Sequence, residues 1–294
     1  MTHTQTLVLT LVSRAGDLAR LAARAPGGAG AAIDRSGGGW RVVERGVAGG
    51  ADLVSWLEAE APALGADWAI TPATNRKKRL LISDMDSTII GQECLDELAD
   101  FAGLKAEVSA ITERAMRGEL DFAGALTQRV AMLKGLKLEA LAACHEQRVR
   151  LNPGARELVE TMKAHGARCV LVSGGFRYFT SRVAAMAGFH ADRANTLIDD
   201  GAALTGDVGQ PILGREAKLA ALIEETAALG GTADDAIAMG DGANDLDMIR
   251  AAGLGVAYKA KPIVAAETLA RIQHTDLRAA LFFQGYTVDQ IVNG

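Results

Sequence analysis

Three short apolar runs in this chain each end in a polar turn rich in aspartate, serine or glycine. Leu80-Leu81-Ile82-Ser83 leads into Asp84-Met85-Asp86-Ser87-Thr88, Arg168–Val172 into Ser173-Gly174-Gly175, and Ala236–Met239 into Gly240-Asp241-Gly242-Ala243-Asn244-Asp245. Helical spacing fills the intervals at Ala155–His165, Tyr178–Ala187, Arg215–Leu229 and Asp245–Ala252, with a short β region around Ala194–Val208. A further strand at Leu254–Ala257 and a helical tail at Leu277–Phe283 complete the pattern. Strands alternating with helices imply an α/β fold with a doubly wound parallel sheet. In such a sheet ligands bind outside the carboxyl ends of the strands, where all three turns would lie.

Side chains alternate faces along a strand, so Asp84 and Asp86 share a side only while the chain stays extended. At the end of a strand both can face one crevice, whereas Met85 should point away. Asp, Ser and Thr also favour turns, so a capped turn suits the same residues. Convergence of the three strand ends separates these readings. It would bring Asp84, Asp86, Asp241 and Asp245 close together, where like charges raise one another's pKa. A hard cation relieves that repulsion. Mg²⁺ takes oxygen ligands, keeps several waters and uses one or two carboxylates plus a phosphate; Mn²⁺ suits the same octahedral oxygen set.

Spacing excludes other chemistries. Gly240-x-Gly242-x-x-Asp245 puts an aspartate where the dinucleotide fingerprint needs its third glycine, and Leu246 stands where an EF-hand loop requires glycine. No GxxxxGK[ST], HExxH or GxSxG occurs, which removes P-loop, zincin and nucleophile-elbow chemistry.

The remaining segments flank this framework. Residues 5–74 read as βαββαβ: strands at Leu7–Val12, Ala31–Asp34, Trp40–Glu44 and Asp67–Thr71, and helices at Gly16–Arg24 and Ala51–Ala61. That order is ferredoxin-like and resembles an ACT-like module. Residues 92–150 read as four helices, Gln92–Phe101, Lys105–Arg117, Phe122–Leu133 and Leu138–Val149, punctuated by glycines 103, 118 and 135 and inserted after the first core strand. The resulting division is a module over residues 1–74 and an α/β domain over 75–294, with a helical insertion at about 91–150. Arg76-Lys77-Lys78-Arg79, between the two, reads as a solvated linker.

A composition of 49% hydrophobic and 23% charged residues is that of a globular protein with ample core. The net charge of −5 argues against a nucleic-acid partner. Three cysteines without CxxC spacing suggest a reducing compartment rather than a disulfide framework. Neither a signal-peptide pattern nor an apolar stretch of the ~20 residues needed to span a bilayer is present, so the expectation is a cytoplasmic protein with no membrane partner.

In order along the chain, Asp84-x-Asp86-Ser87-Thr88, Ser173-Gly174-Gly175, Lys218 and Gly240-Asp241-Gly242-x-x-Asp245 resemble the four motifs of haloacid dehalogenase (HAD)-type phosphatases. The helical insertion is similar to that superfamily's type-1 cap. More narrowly, residues 80–285 resemble the phosphoserine phosphatase family, with Glu93, Phe122, Arg129 and Asn244 also in register. The resemblance implies an enzyme that hydrolyses O-phospho-L-serine to L-serine and phosphate, the last step of serine biosynthesis. Asp84 would be the nucleophile forming an aspartyl-phosphate, and Asp86 the proton donor and acceptor. Lys218, Ser173 and Gly174 would hold the phosphoryl oxygens, Glu93 the substrate ammonium, Arg129 its carboxylate, and Asn244 the product or phosphate. Mg²⁺ would be held by Asp84, the Asp86 backbone carbonyl and Asp241, with Asp245 supporting from behind. Two alternatives stay open. One is another small phosphorylated metabolite as substrate of the same chemistry. The other is an amino-acid-sensing role for the N-terminal module. Because ACT-like modules often pair edge to edge, the resemblance of that module also implies a homodimer through it.

Overall fold

The computed structural model describes residues 6–116 and 119–293. Arg117 and Gly118, the expected end of the second inserted helix and the glycine after it, lie outside the described residues, as does the start of the N-terminal module. Residues 7–72 follow the expected order: β1 (Leu7–Ser13), α1 (Leu18–Ala23), β2 (Gly28–Asp34), β3 (Arg41–Val47), α2 (Ala51–Glu60) and β4 (Asp67–Pro72). After β5 (Leu80–Ser83) come four helices, α3 (Cys94–Phe101), α4 (Lys105–Met116), α5 (Phe122–Ala131) and α6 (Leu138–Arg148). The chain continues through α7 (Ala155–Ala164), β6 (Arg168–Phe176), α8 (Arg177–Ala187) and β7 (Ala191–Asn195) to a hairpin, β8 (Leu197–Asp199) and β9 (Leu204–Val208). It ends through α9 (Arg215–Ala228), β10 (Ala236–Gly240), α10 (Leu246–Ala251), β11 (Leu254–Tyr258), α11 (Pro262–Ala265), β12 (Ala270–Ile272) and α12 (Ala279–Phe283).

One ten-stranded sheet runs β2-β3-β1-β4-β12-β11-β10-β5-β6-β7. Its β12–β7 half is parallel, and its β2–β4 half is antiparallel. The halves meet where β4 pairs antiparallel with β12. Alternation along the central strands sorts the core onto two faces. Leu81, Cys169, Leu171, Ile237 and Met239 pack on one side with α7 and α8. Leu80, Ile82, Val170, Val172, Ala236 and Ala238 pack on the other with α9 and α10. Helices therefore cover both faces, as a doubly wound sheet requires. β5 lies between β10 and β6, and Ser83 is level with both Met239 and Leu171. The three polar turns consequently leave the sheet side by side.

The N-terminal strands are not a separate layer. Val12, Trp40, Val42 and Ala69 belong to the same apolar cluster as Leu81 and Phe282, and the Trp40 ring meets Phe282 edge-on at 5.0 Å. The buried Asp67 of β4 accepts from the Gln273, His274 and Thr275 N–H groups at 2.6, 2.8 and 2.8 Å. That arrangement satisfies a turn of the core from the N-terminal side. Because β4 is already paired, β2 is the outer edge at this end of the sheet.

The basic run at 76–79 departs from its expectation at two of its four residues, since Lys77 and Arg79 are exposed. Arg76 and Lys78 are largely withdrawn from water rather than solvated. Arg76 pairs with Glu44 of β3 at 2.7 Å and donates to the Thr10 hydroxyl and the Phe283 carbonyl. Lys78 Nζ donates to the Asp234 carbonyl at 2.7 Å. Buried cations need such partners, and the partners lie on both sides of the boundary, so the run acts as a clasp. Among the described residues no helix is long and apolar enough to cross a membrane.

Candidate active site

Local geometry at the end of β5 explains why Asp84 and Asp86 face one way. The Asp84 N–H donates to the Met239 carbonyl at 3.0 Å, which holds the strand end against β10. Asp84 and Asp86 keep extended backbone, and the chain then reverses at Ser87 with φ 54°. Met85 points into the core, as expected of the residue between them.

Lys218, from α9, lies beneath this turn. Its ammonium is 2.7 Å from Asp84 Oδ1 and 2.6 Å from Asp245 Oδ1. The second Asp245 oxygen accepts from the Asp241 and Gly242 N–H groups at 3.2 and 3.0 Å. Both oxygens of Asp245 are thus occupied within the protein. Gly240 is required here, because a Cβ on it would overlap the Asp245 carboxylate. Asp86 Oδ1 accepts from the Cys94 N–H at 2.9 Å, at the start of α3, and Asp86 Oδ2 accepts from the Ser173 hydroxyl at 3.2 Å. Ser173 Oγ in turn accepts from the Gly175 N–H at 2.9 Å.

Above these groups is a cavity of about 150 Å³ lined by Asp84, Asp86, Ser173, Gly174, Asp241 and Asn244 on the sheet side. The inserted helices close its other side with Glu93, Phe122, Leu126 and Arg129. A Cβ at Gly174 would come within 3.0 Å of the Phe122 ring, so the glycine lets the cap approach the strand end. Eight of the ten site residues expected from the sequence line this cavity, and the other two, Asp245 and Lys218, bond directly to residues that do. Lys218 is buried under Asp84 rather than among the cavity-lining groups.

Lys261 also lines the cavity, and sequence reasoning passed over it. Its backbone N–H donates to the Asp241 carbonyl at 3.0 Å. The only signal was its place in the short link between a strand and Pro262. The Ser87 hydroxyl, which donates to Glu93 Oε1 at 2.6 Å, was equally invisible as a partner of Glu93.

Burial dominates the electrostatics. It pushes Asp84 well above the usual carboxylate range, Asp245 adds to the effect, and Lys218 opposes it. Burial, with Glu93 nearby, raises Asp86 to about 7. Burial and then Asp245 raise Asp241 to about 6. Lys218 would be lowered by burial, but Asp84 and Asp245 more than offset that and hold it above its ordinary value. Lys218 and, for Asp241, Lys261 oppose the rise but do not cancel it. Oxygens of Asp84, Asp241 and Asp245 lie within 4.8 Å of one another. A set of hard oxygen donors with unrelieved negative charge fits a divalent cation. Since Asp245 is fully engaged elsewhere, Asp84 and Asp241 are the carboxylates left to hold it.

Residues 81–250 match the family of haloacid dehalogenase-like hydrolases. A phosphoserine phosphatase from Polaromonas sp. (strain JS666) is 48% identical over 204 residues, 68% of this chain and 86% of that protein. The crystal structure of a HAD family hydrolase from Salmonella enterica subsp. enterica serovar Typhi superposes with a TM-score of 0.86 at 29% identity, covering 95% of this chain and 98% of the other. A phospho-aspartyl intermediate analogue of phosphoserine phosphatase superposes with a TM-score of 0.65 at 38% identity, covering 70% of this chain and 99% of that one.

Proposed function

The chain belongs to the haloacid dehalogenase-like hydrolase family, and we propose that it is a phosphomonoesterase that hydrolyses O-phospho-L-serine through an aspartyl-phosphate on Asp84. The observation that carries this reading is the pairing of two carboxylates at one strand end with a cap that presents opposite charges to the same cavity. Among the described residues neither Glu93 nor Arg129 has an ion-pair partner, and both line the cavity. A substrate with one ammonium, one carboxylate and one phosphate satisfies Glu93, Arg129 and the sheet-side groups at once, with Arg129 able to grip a carboxylate bidentately. The kinship with a phosphoserine phosphatase from Polaromonas supports the same choice.

In the first half-reaction an Asp84 oxygen attacks phosphorus in line. The bond to the serine oxygen breaks, and Asp86 donates its proton to that oxygen. In the second, Asp86 removes a proton from water as the water oxygen attacks phosphorus, and the bond to Asp84 breaks. Phosphate leaves and both aspartates return to their starting state. A raised Asp86, at about 7, keeps the acid form available near neutrality. Lys218 holds Asp84 Oδ1, leaving the other oxygen for attack. Ser173 fixes Asp86, while the Gly174 backbone and Asn244 border the space for the phosphoryl oxygens. Mg²⁺, for which Mn²⁺ is a chemical substitute, would be held by Asp84, Asp241 and the Asp86 carbonyl, and when bound it neutralises phosphoryl charge.

The scale of the task ranks these parts. Phosphate-monoester hydrolysis needs accelerations of up to ~10²¹, whereas general acid–base catalysis supplies about 10²–10⁴. Charge stabilisation and positioning carry the rest. The test is phosphate release across phosphoserine, phosphothreonine, phosphoethanolamine and sugar phosphates. Phosphoserine should be turned over with the highest kcat/KM; a preference for any phosphate lacking the amino acid would overturn the roles of Glu93 and Arg129.

A further inference from the structure

Ser87 lies in the acidic turn, yet none of the steps above uses its hydroxyl. It is one of three non-glycine residues with positive φ among the described residues, at φ 54°, ψ 0°. An L-residue other than glycine, asparagine or aspartate seldom adopts this left-handed conformation. It persists only where its surroundings over-determine it.

Three hydrogen bonds do so. The Ser87 N–H donates to the Gln92 carbonyl at 3.1 Å. The Ser87 hydroxyl donates to Glu93 Oε1 at 2.6 Å. The Cys94 N–H, next along the chain, donates to Asp86 Oδ1 at 2.9 Å. Backbone reversal at Ser87 therefore aims its hydroxyl at the Glu93 carboxylate while the same turn holds Asp86. Glu93 is an exposed residue on a flexible stem, and its Oε2 has no protein hydrogen bond among the described residues. A long side chain that must be immobilised by its ligand loses affinity in rotamer entropy, and one fixed beforehand does not.

We infer that Ser87 is a specificity-positioning residue: its hydroxyl orients Glu93 through Oε1 so that Oε2 meets the ammonium of an amino-acid phosphate. The inference rests on the assignment of Glu93 to the substrate ammonium made above. It predicts that Ser87 matters only for substrates carrying that ammonium.

The experiment compares O-phospho-L-serine with 3-phosphooxypropanoate, which has the same phosphate ester and carboxylate but no amine. Kinetics of phosphate release are measured for the wild type, Ser87→Ala, Ser87→Gly, Glu93→Gln and the double variant Ser87→Ala/Glu93→Gln. Glycine adopts the left-handed turn without strain, so Ser87→Gly separates loss of the hydroxyl from a distorted turn. The wild type should prefer phosphoserine. Both Ser87 variants should lose about tenfold in kcat/KM on phosphoserine, mainly through KM, the size of one charge-assisted hydrogen bond. On 3-phosphooxypropanoate their loss should stay below about twofold, and Ser87→Ala should cost nothing further once Glu93 is Gln. Equal losses on both substrates, tighter phosphoserine binding, or additive losses in the double variant would overturn the role of Ser87 alone. A wild type that does not distinguish the two substrates would overturn the Glu93 assignment, and the Ser87 inference with it.

Discussion

Lys218 Nζ lies 2.7 Å from Asp84 Oδ1; both side chains are buried, Asp84 in the floor of the cavity and Lys218 beneath it. With Asp245 on its other side at 2.6 Å, the ammonium is shared between two carboxylates and anchors the residue assigned to attack phosphorus. The contact is at once part of the core and part of the site. Breaking it should therefore damage both stability and rate.

Lys218→Met leaves two buried carboxylates without a cation. Removing one partner of a buried ion pair destabilises by about 3–5 kcal/mol, which urea denaturation will read directly. Phosphate release should fall in the same variant. Lys218→Arg should not rescue it, because a planar fork does not replace a compact ammonium between two carboxylates.

Asp86→Asn keeps an acceptor for the Cys94 N–H but has no proton to give. On phosphoserine, whose departing alkoxide needs one, kcat should drop by about 10²–10⁴. On an aryl phosphate, whose phenolate leaves without help, formation of the phospho-enzyme should be slowed far less. Pre-steady-state release of the phenol checks this, and equal slowing on both substrates would count against the acid role.

Asp241 would couple the proposed metal site to stability. Its folded-state pKa of about 6 is above the ordinary 3.8, so the folded protein binds the extra proton. The stability this contributes is full below 3.8 and lost as pH rises through about 6. At pH ~7.5 without divalent cation, Asp241→Asn should melt above the wild type. Millimolar Mg²⁺ should raise the Tm of the wild type and barely move the variant, since ligands stabilise only the state that binds them.

Glu44 provides the opposite sign, away from the site. Burial would raise it, but Arg76 and Arg35 more than compensate and hold it below its ordinary 4.5. Its contribution is present above pH 4.5 and is lost as pH falls through the lowered folded value. Glu44→Gln should cost roughly 3 kcal/mol at pH 7 and flatten the acid side of the stability profile. A parallel acid limb in wild type and variant would remove Glu44 as its cause.

The sheet-side half of the site was legible in the sequence because its signal is local. Asp84, Asp86, Ser173, Gly174, Asp241 and Asp245 sit in turns that directly follow apolar runs, and parallel pairing brings β10, β5 and β6 together; the role of Asn244 came only from family resemblance. The cap residues Glu93 and Arg129 were legible only through family resemblance, since no spacing rule puts a helix residue opposite a strand end. Features made by long-range pairing stayed hidden. β12 is three residues long and gains its strand character from β11 and β4. Arg76 and Lys78 looked solvated because charged residues usually are, while their partners Glu44 and Asp234 lie far away in the chain. The continuity of one sheet across residue 74 depends on the same non-local pairing.

The central claim is that Asp84 carries the phosphoryl group between the two half-reactions. It is tested most directly by rapid acid quench of the enzyme during turnover of phosphoserine, borohydride reduction of any acyl phosphate, and peptide mass spectrometry. The account predicts homoserine at position 84 in the wild type and its absence in Asp84→Asn. A wild-type enzyme that turns over phosphoserine with position 84 unmodified, or with the label on another residue, would contradict it.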